Sequence, residues 1–547
     1  TIYFSENIER GIVSKIQESM ETPLILNDVD FTLFENFPHA SVKITDLLVL
    51  ESEEFNSDTL IFAKLAYVNI SLLNIINKNY NLKNITIDDA KINIKYNDLN
   101  LPNFLVFKKR KTNKSSVKIE KVVLLKTKLC VKKENPKIHL TWHLDNSIIS
   151  IDNSNFIFNS NGFSKETIVG NTDYLNNKKF NFIAETQITK DTINIFTSDL
   201  SIQDVLINLN GSIVKSERLN LEIVGLEQDI NQIIMQMPKK IQGICSPFFA
   251  NGEINFKSKI QGLMNKENNP LFEMEYQIKE GVFKLISNPM FELTDINFSG
   301  HLSNGKERSF KSTKITSNVF NAKTKNGNIE AKFNIENINR LLLDVELQSS
   351  WDLQTLNLIF KQSPFQKLQG KLFNSTKYTG NISFGTDFKN MFLNANHNSD
   401  IRFENVSFNY KNSPLRYDFQ NIDCKLKNRN IIFKKWKGTI SETDFVFTGK
   451  TTNLVAYIIG AADNTYINGN IQSTYTNFAE ILSISGSSNE TLETNTSVMP
   501  DWLEAKCNID ITNFSYDNFI ASDVTGMISY RDKEIKTKNL KAKPKIL

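Results

Sequence analysis

Cysteine is scarce in this chain: four residues in 547, at 130, 245, 424 and 507. None belongs to a CxxC pair, so their spacing offers neither a zinc site nor a disulfide framework, and scattered core thiols are the expectation. Proline (12) and glycine (21) are also few, which argues against collagen-like or linker-rich architecture. Lys+Arg exceeds Asp+Glu by only 64 to 60, spread along the chain. A nucleic-acid binder needs a concentrated basic face, so no DNA or RNA partner is expected. No segment approaches the ~20 apolar residues of a membrane span, and the longest run, LVAYIIGAA from Leu454, is about half that. Signal-peptide regions are missing too. The sequence opens on Thr1 rather than Met and stops at KPKIL, and is read as a fragment.

Catalytic signatures are equally absent. There is no Gly-x-Ser-x-Gly, P-loop or dinucleotide fingerprint. His139 and His143 in HLTWH would meet at i, i+4 on a helix, but the stretch alternates as a strand, which sets them about 13 Å apart at ~3.3 Å per residue. Glu53 with Glu54, and Asp88 with Asp89, are adjacent, so on a strand they point to opposite faces. No catalytic residue, metal or cofactor is expected, and the chain is not read as an enzyme.

What is present is strand. Hydrophobic residues make up 40% of the chain, with 39 Phe, enough for a large core in three or four ordinary domains or one repetitive body. SVKITDL at Ser41, KINIKY at Lys91, NFIFN at Asn155, INFKSKI at Ile254 and DFVFTG at Asp444 are apolar at every second position. Turn signals such as SNG before Lys306 and KNG before Asn328 punctuate them. Helical patterns are expected over 6 to 20, 226 to 238 and 352 to 362. The first carries Ile8, Ile12, Ile16 and Met20 on one stripe, with Ser5 as N-cap and Glu6 and Glu9 near the positive end of the dipole. This stripe could lie on a bilayer or cap the open end of a sheet; its narrowness and mixed flanking charge favour the cap.

ANGEINF, ending at Phe256, reappears as YTGNISF, ending at Phe384. Each copy follows a helical face and a proline: Ile230, Ile233, Ile234 and Met237 before Pro238; Leu353, Leu356, Ile359 and Phe360 before Pro364. FELTDINFSGHL from Phe291 matches RYDFQNIDCKL from Arg416, and NFAEIL, NIDITNFSY and ASDVTGMISY form a weaker third copy. The period is about 126 to 128 residues. The expected segments are 1-107, an N-terminal unit; 115-225, a β extension; 226-351 and 352-477, two repeat modules; and 478-547, part of a third. The expected fold class is mainly β: an elongated, twisted and curled antiparallel sheet, groove-like and repeat-built, with a few short helices including an N-terminal one. With one apolar side and few helices to cover it, such a sheet folds onto a second sheet or curls around something apolar.

Pro23 to Phe104 adds a resemblance. The helix before it, the strand around Phe37-Pro38, VNISLLNII from Val68, LKNITIDDAKINI from Leu82 and the acidic turn into Asn103-Phe104 are similar to the start of AsmA-like proteins of the bacterial envelope. These are relatives of TamB and of chorein-type lipid bridges. Leu99 departs from the family, which often has Gly after the position of Asp98. The resemblance implies a transmembrane helix ahead of this fragment, anchorage in the inner membrane and a periplasmic sheet whose apolar groove conducts phospholipid toward the outer membrane, with an outer-membrane assembly partner. Acyl chains would meet inward residues such as Val42, Ile44, Ile254, Phe256, Ile260, Ile382 and Phe384. KKRKTNK, with Lys108, Lys109, Arg110 and Lys111, would offer charge to lipid headgroups, although a solvated loop is the preferred reading. Two other classes stay open: a non-catalytic scaffold or adhesin with a filled β core, and a polysaccharide-acting β-helix enzyme, whose coils would recur at tens of residues.

Overall fold

A computed structural model describes residues 2–32, 39–55, 57–71, 83–108, 119–214, 217–357, 365–382, 388–410, 415–483, 502–532 and 534–545. The fold is mainly β, with 71% strand and 10% helix. The chain divides into two compact units, Thr1–Cys245 with Ile254–Glu275, and Ser246–Glu253 with Tyr276–Leu547.

In the first unit, His39–Leu50, Thr59–Ser71 and Asn84–Lys95 form an antiparallel run. Asn84–Lys95 then pairs in parallel with Lys121–Glu134, from which Lys137–Asp152, Asn155–Val169, Lys178–Ile188, Thr192–Ile202, Val205–Val214 and Arg218–Asp229 continue as an antiparallel meander. The second unit runs antiparallel from Asn288–Ser303 to Thr465–Asn477, where a parallel pairing with Leu503–Tyr516 intervenes. The sheet is therefore mixed: predominantly antiparallel, as expected, with two parallel pairings that the expectation did not include. At both parallel steps the connection exceeds the dozen residues that a crossover needs, which a hairpin never provides.

Helices differ from expectation in number and in bounds. The first runs Ile2–Ser19, so Ser5 lies inside it and is not its N-cap; with no turn residue ahead of Ser5, the helical run starts earlier. Where 226 to 238 was expected, the strand Arg218–Asp229 extends to Asp229. Asp229 then caps Ile230–Gln236 by accepting from the Gln232 N–H at 2.8 Å, and Lys239–Cys245 follows Pro238. Leu353–Asn357 is helical, and the remainder of 352 to 362 lies outside the described residues. Phe388–Asn394, Leu454–Ile458 and Phe478–Ser483 are further helices, each too short to carry the i, i+3, i+4, i+7 pattern by which a helix is read from sequence. LVAYIIGAA contributes one of them.

The repeated Gly-x-Ile-x-Phe takes two roles. Gly252 lies within the strand Phe248–Leu263 at φ +136°, where a Cβ would fall 2.7 Å from the Gly281 Cα. Gly380 sits at the end of Phe365–Asn381, and Phe384 is outside the described residues. The downstream match keeps its role, since Ile296 and Ile422 are both buried.

Left-handed residues mark the first unit. Asp46, Asp89 and Lys126 have φ of 50°, 52° and 45°, and the ladder lapses there in neighbour after neighbour: 46 faces 64, 64 faces 89, and 126 faces 145. Asp tolerates this conformation better than most residues. Opposite charges meet along the line, Lys64 with Asp89 at 4.0 Å and Lys126 with Asp88 at 3.9 Å.

The turn before Phe104 is pinned by a buried polar knot. Asn103 donates to Glu51 Oε1 at 2.8 Å and to the Asn93 carbonyl at 2.9 Å, and accepts from the Lys95 N–H at 2.9 Å. Lys95 Nζ bridges Glu51 and Asp58, each at 2.9 Å. Burial works against the Lys95 charge, but the hydrogen bonds to Asp58 and Glu51 hold it above its ordinary value. Asn103→Ala leaves a buried carboxylate short of a donor, costing about 1–3 kcal/mol. Amide exchange over 95–106 is expected to accelerate at least tenfold while the second unit is unchanged; unaltered exchange there would show that the knot does not hold the turn.

Candidate functional site: an apolar sheet face

The apolar side of the first unit can be followed by register. Leu200 faces Ile207, Leu209 faces Ile223, Gly211 faces Leu221 and Ile213 faces Leu219; directly paired residues share a face. Phe256 joins this side, because a Cβ on Gly225 would lie 2.4 Å from its ring. The other side is polar: Lys257 pairs with Glu222 at 2.9 Å, and Gln261 donates to Asn220 at 3.0 Å.

Cover on that apolar side changes along the unit. Val42 and Ile44 are 0% and 2% exposed and pack with Ala40, Ala66 and Val68 under Ile16, Val29 and Phe31. Protein fills the space over them. The helix Ile2–Ser19 supplies part of that cover: Ile16 and Met20 also pack with Val49, Leu60 and Val106, while Glu9 accepts from the Phe31 N–H at 3.0 Å. The side chains of Ile8 and Ile12 lie outside the described residues. By contrast, Ile207, Leu209, Ile213, Leu221, Ile223, Ile254, Phe256 and Ile260 are half-buried. Among the described residues none of these eight takes part in a buried hydrophobic cluster. Ile254, Phe256 and Ile260 were expected on this side from alternation. Ile207, Leu209, Leu221 and Ile223 were not singled out, although VLINLNGSIV and RLNLEIV carry the same period.

In the second unit, rings form a stripe: Tyr276 to Phe298 at 5.7 Å, Phe298 to Phe320 at 5.4 Å, and Phe320 to Phe333 at 6.2 Å. A chain of side-chain hydrogen bonds crosses the sheet next to it. Trp351 Nε1 donates to Ser349 at 2.8 Å, Ser349 donates to Asn374, Asn374 donates to Thr376 at 3.0 Å, and Thr376 donates to Ser399 at 3.0 Å. Farther on, Tyr417, Phe419, Ile422, Cys424, Phe433 and Phe447 form a closed cluster with Trp436 and Phe445 packed on it. Ile382 is half-buried just beyond the strand Phe365–Asn381, its N–H on the Leu341 carbonyl at 2.9 Å.

Other sequence candidates fall elsewhere. Lys108 closes the first helix at its carboxyl end, its N–H on the Ser19 carbonyl and its Nζ on that of Glu18, both at 3.0 Å. Lys109, Arg110 and Lys111 lie outside the described residues. His143 stacks on Phe163 with centroids 4.6 Å apart, and His139 Nε2 lies 3.6 Å from Glu134. Glu53 and Glu54 sit in a 3₁₀ turn, Glu53–Phe55, instead of the strand expected for them, because the chain must reverse between Leu50 and Thr59. None of the four cysteines is disulfide-bonded; burial pushes the Cys424 thiol up to about 11 and raises those of Cys245 and Cys507, keeping them protonated and inert. A cleft of about 690 Å³ in the second unit is lined by Asn328, Glu330, Ser350, Phe373, Asp400 and Arg402 among others. Asp400 lies near Lys425 and Lys434, and Arg402 pairs with Glu404. No described helix is long and apolar enough to cross a membrane.

No family model matches the chain, and neither does any curated protein or solved structure.

The polar side of the second unit is laced by cross-strand pairs. Glu346 takes Lys332 at 2.7 Å and Lys377 at 2.8 Å, and their hydrogen bonds hold its carboxyl down to about 2 against an ordinary 4.5. A depressed folded pKa stabilises above the unfolded value and loses that contribution as pH falls through the folded one. Glu346→Gln should therefore lower Tm at pH 7, with the gap narrowing as pH falls from about 4.5 toward 2 and vanishing only below that, and with the gap at pH 7 shrinking in high salt. A pH-independent effect would mean that packing, not charge, is at work.

Proposed function

We propose that the protein is an AsmA-like envelope protein that shields phospholipid acyl chains on its apolar sheet face and conducts them between inner and outer membrane. By the same resemblance, a transmembrane helix would anchor it on the periplasmic side of the inner membrane. The observation that supports the reading is the set of half-buried apolar residues from Ile207 to Ile260, none of which belongs, among the described residues, to a buried hydrophobic cluster, although Leu219 beside Ile213 is buried. A continuous apolar surface with no closed cluster over it leaves each contact unfinished, and an acyl chain would finish it at about 0.8 kcal/mol per buried CH₂. Sliding along such a surface needs no catalytic residue. The candidate lining is then Leu221, Ile223, Ile254, Phe256 and Ile260, with Ile382 in the second unit. Val42 and Ile44, already covered, would serve the core.

The closed cluster around Phe419 favours a second reading, a non-catalytic scaffold with a filled core. Leu221→Asp separates the two. On an open face the carboxylate can reach water, so the variant should keep its Tm within a few degrees and lose lipid photo-crosslinking along the rows. In a filled core the uncompensated charge costs several kcal/mol and unfolds the unit. Native mass spectrometry of the unmodified protein should find co-purified phospholipid. Its absence, or unchanged labelling of a folded variant, would overturn the conduit.

A further inference from the structure

The polar side of the second unit changes character along its strands. Lys332, Glu346 and Lys377 fill one row with charge. Two residues along the same strands, Glu330 faces Gln348, Gln348 faces Ser375 and Ser375 faces Asp400. Two residues farther, Ser350 faces Phe373, Phe373 faces Arg402 and Arg402 faces Asp423. Asn328 closes this last row, its N–H on Ser350 Oγ at 3.1 Å and its Oδ1 accepting from that hydroxyl. Directly paired residues share a face, so both rows lie on the polar side. They line the cleft of about 690 Å³ together with Lys434 and with Ser349, Asn374, Ile401 and Cys424, which alternate with them. That volume is within the span of ordinary small-molecule sites. The bordering strands are paired on both edges, Gly327–Glu336 onward to Lys314–Thr324 and Asn430–Ile440 onward to Thr443–Thr452.

Phe373 stands out on this wetted face. It is half-buried among polar row mates, and the Arg402 guanidinium lies 5.0 Å from its ring centroid. The groups around it can donate and accept alike: the amides of Asn328 and Gln348, the hydroxyls of Ser350 and Ser375. Among the described residues Gln348 and Ser375 make no side-chain hydrogen bond, and Glu330 makes no ion pair. Acids and bases nearly balance, Glu330, Asp400 and Asp423 against Arg402 and Lys434. Arg402 is held on Glu404 at 3.0 Å, and Lys434 lies 3.7 Å from Asp400. Such a cleft offers an anion no excess of positive charge and an apolar molecule no enclosure. It suits a ring with an apolar C–H face and a rim of hydroxyls.

We infer that this cleft binds an uncharged saccharide. One sugar ring stacks by its C–H face on Phe373, and its hydroxyls exchange hydrogen bonds with Asn328, Gln348, Ser375 and Asp400. The site is independent of the lipid reading, which rests on the apolar side. The opposing interpretation is that Phe373 and Arg402 are only a stabilising cross-strand pair.

Saturation-transfer difference NMR of the full chain with maltotriose, cellotriose and triacetylchitotriose distinguishes them. At least one trisaccharide should bind, with transfer strongest to its ring C–H protons, and inorganic phosphate should not compete. Phe373→Ala should weaken that binding at least tenfold, and Phe373→Tyr should retain it. Gln348→Ala, at an exposed position away from the ring, should weaken it severalfold with Tm unchanged. Binding of none of the three sugars, unaltered binding by folded Phe373→Ala or Gln348→Ala, or displacement by phosphate would each overturn the inference.

Discussion

Alternation along a strand gives every sheet two faces, and this chain writes apolar residues on one of them over most of its length. The apolar face must be covered or stay unfinished, and helix is too scarce to cover it throughout. Three solutions occur in turn. Near the start, the helix Ile2–Ser19 and the edge strand Asp28–Thr32 help to close Val42 and Ile44. Around Phe419 the sheet's own rings, with Trp436 and Phe445, fill the space. Between Ile207 and Ile260 neither device operates, and the aliphatic rows stay half-buried. Side-chain size contributes: apart from Phe256, whose ring lies close to Gly225, this region carries Gly and branched aliphatics, which fill less space than the Phe and Trp rings around Phe419.

The polar face depends on the same alternation. Cross-strand neighbours lie close enough for Lys332, Glu346 and Lys377 to form one ladder, and Lys257 with Glu222 does the same in the first unit. Exposed pairs of this kind add little each. Their larger effect is on register, because a one-residue slip would carry every lysine to the apolar side. Part of the near balance of charge in the composition is therefore arranged by strand, as in these pairs.

Class and texture were legible in the sequence because period two is a local property. Ile254, Phe256 and Ile260 could be placed on one side from their spacing, and Ile296 and Ile422 share a buried role that the repeat suggested. What escaped depends on neighbours. Ser5 reads as a cap only if the helix begins beside it. Glu51, Lys95 and Asn103 come together through a turn, and no spacing announces that the motif ending in Asn103-Phe104 has a buried carboxylate beneath it. The left-handed Asp46, Asp89 and Lys126 look like ordinary strand residues. The parallel pairings were hidden because Asn84–Lys95 and Thr465–Asn477 read like the other strands, and only their long connections differ.

The polar chain from Trp351 to Ser399 shows how an interruption on the apolar side need not be costly. Each hydroxyl or amide in it meets another, Asn374 linking Ser349 to Thr376 and Thr376 reaching Ser399. Ser349 and Ser399 are buried, so the chain was desolvated when the sheet formed. An apolar ligand arriving beside it would have few of these bonds to strip. It would forgo the ~0.8 kcal/mol per CH₂ available on a fully apolar row without incurring the several kcal/mol of an unsatisfied buried polar group. Were Asn374 replaced by an apolar residue, Ser349 would lose its acceptor and Thr376 its donor, keeping only Trp351 and Ser399 as partners, and the same strip would cost more to desolvate. The chain is tolerable on this face only because it is self-satisfied, and that condition ties Ser349, Asn374, Thr376 and Ser399 into one unit across three strands.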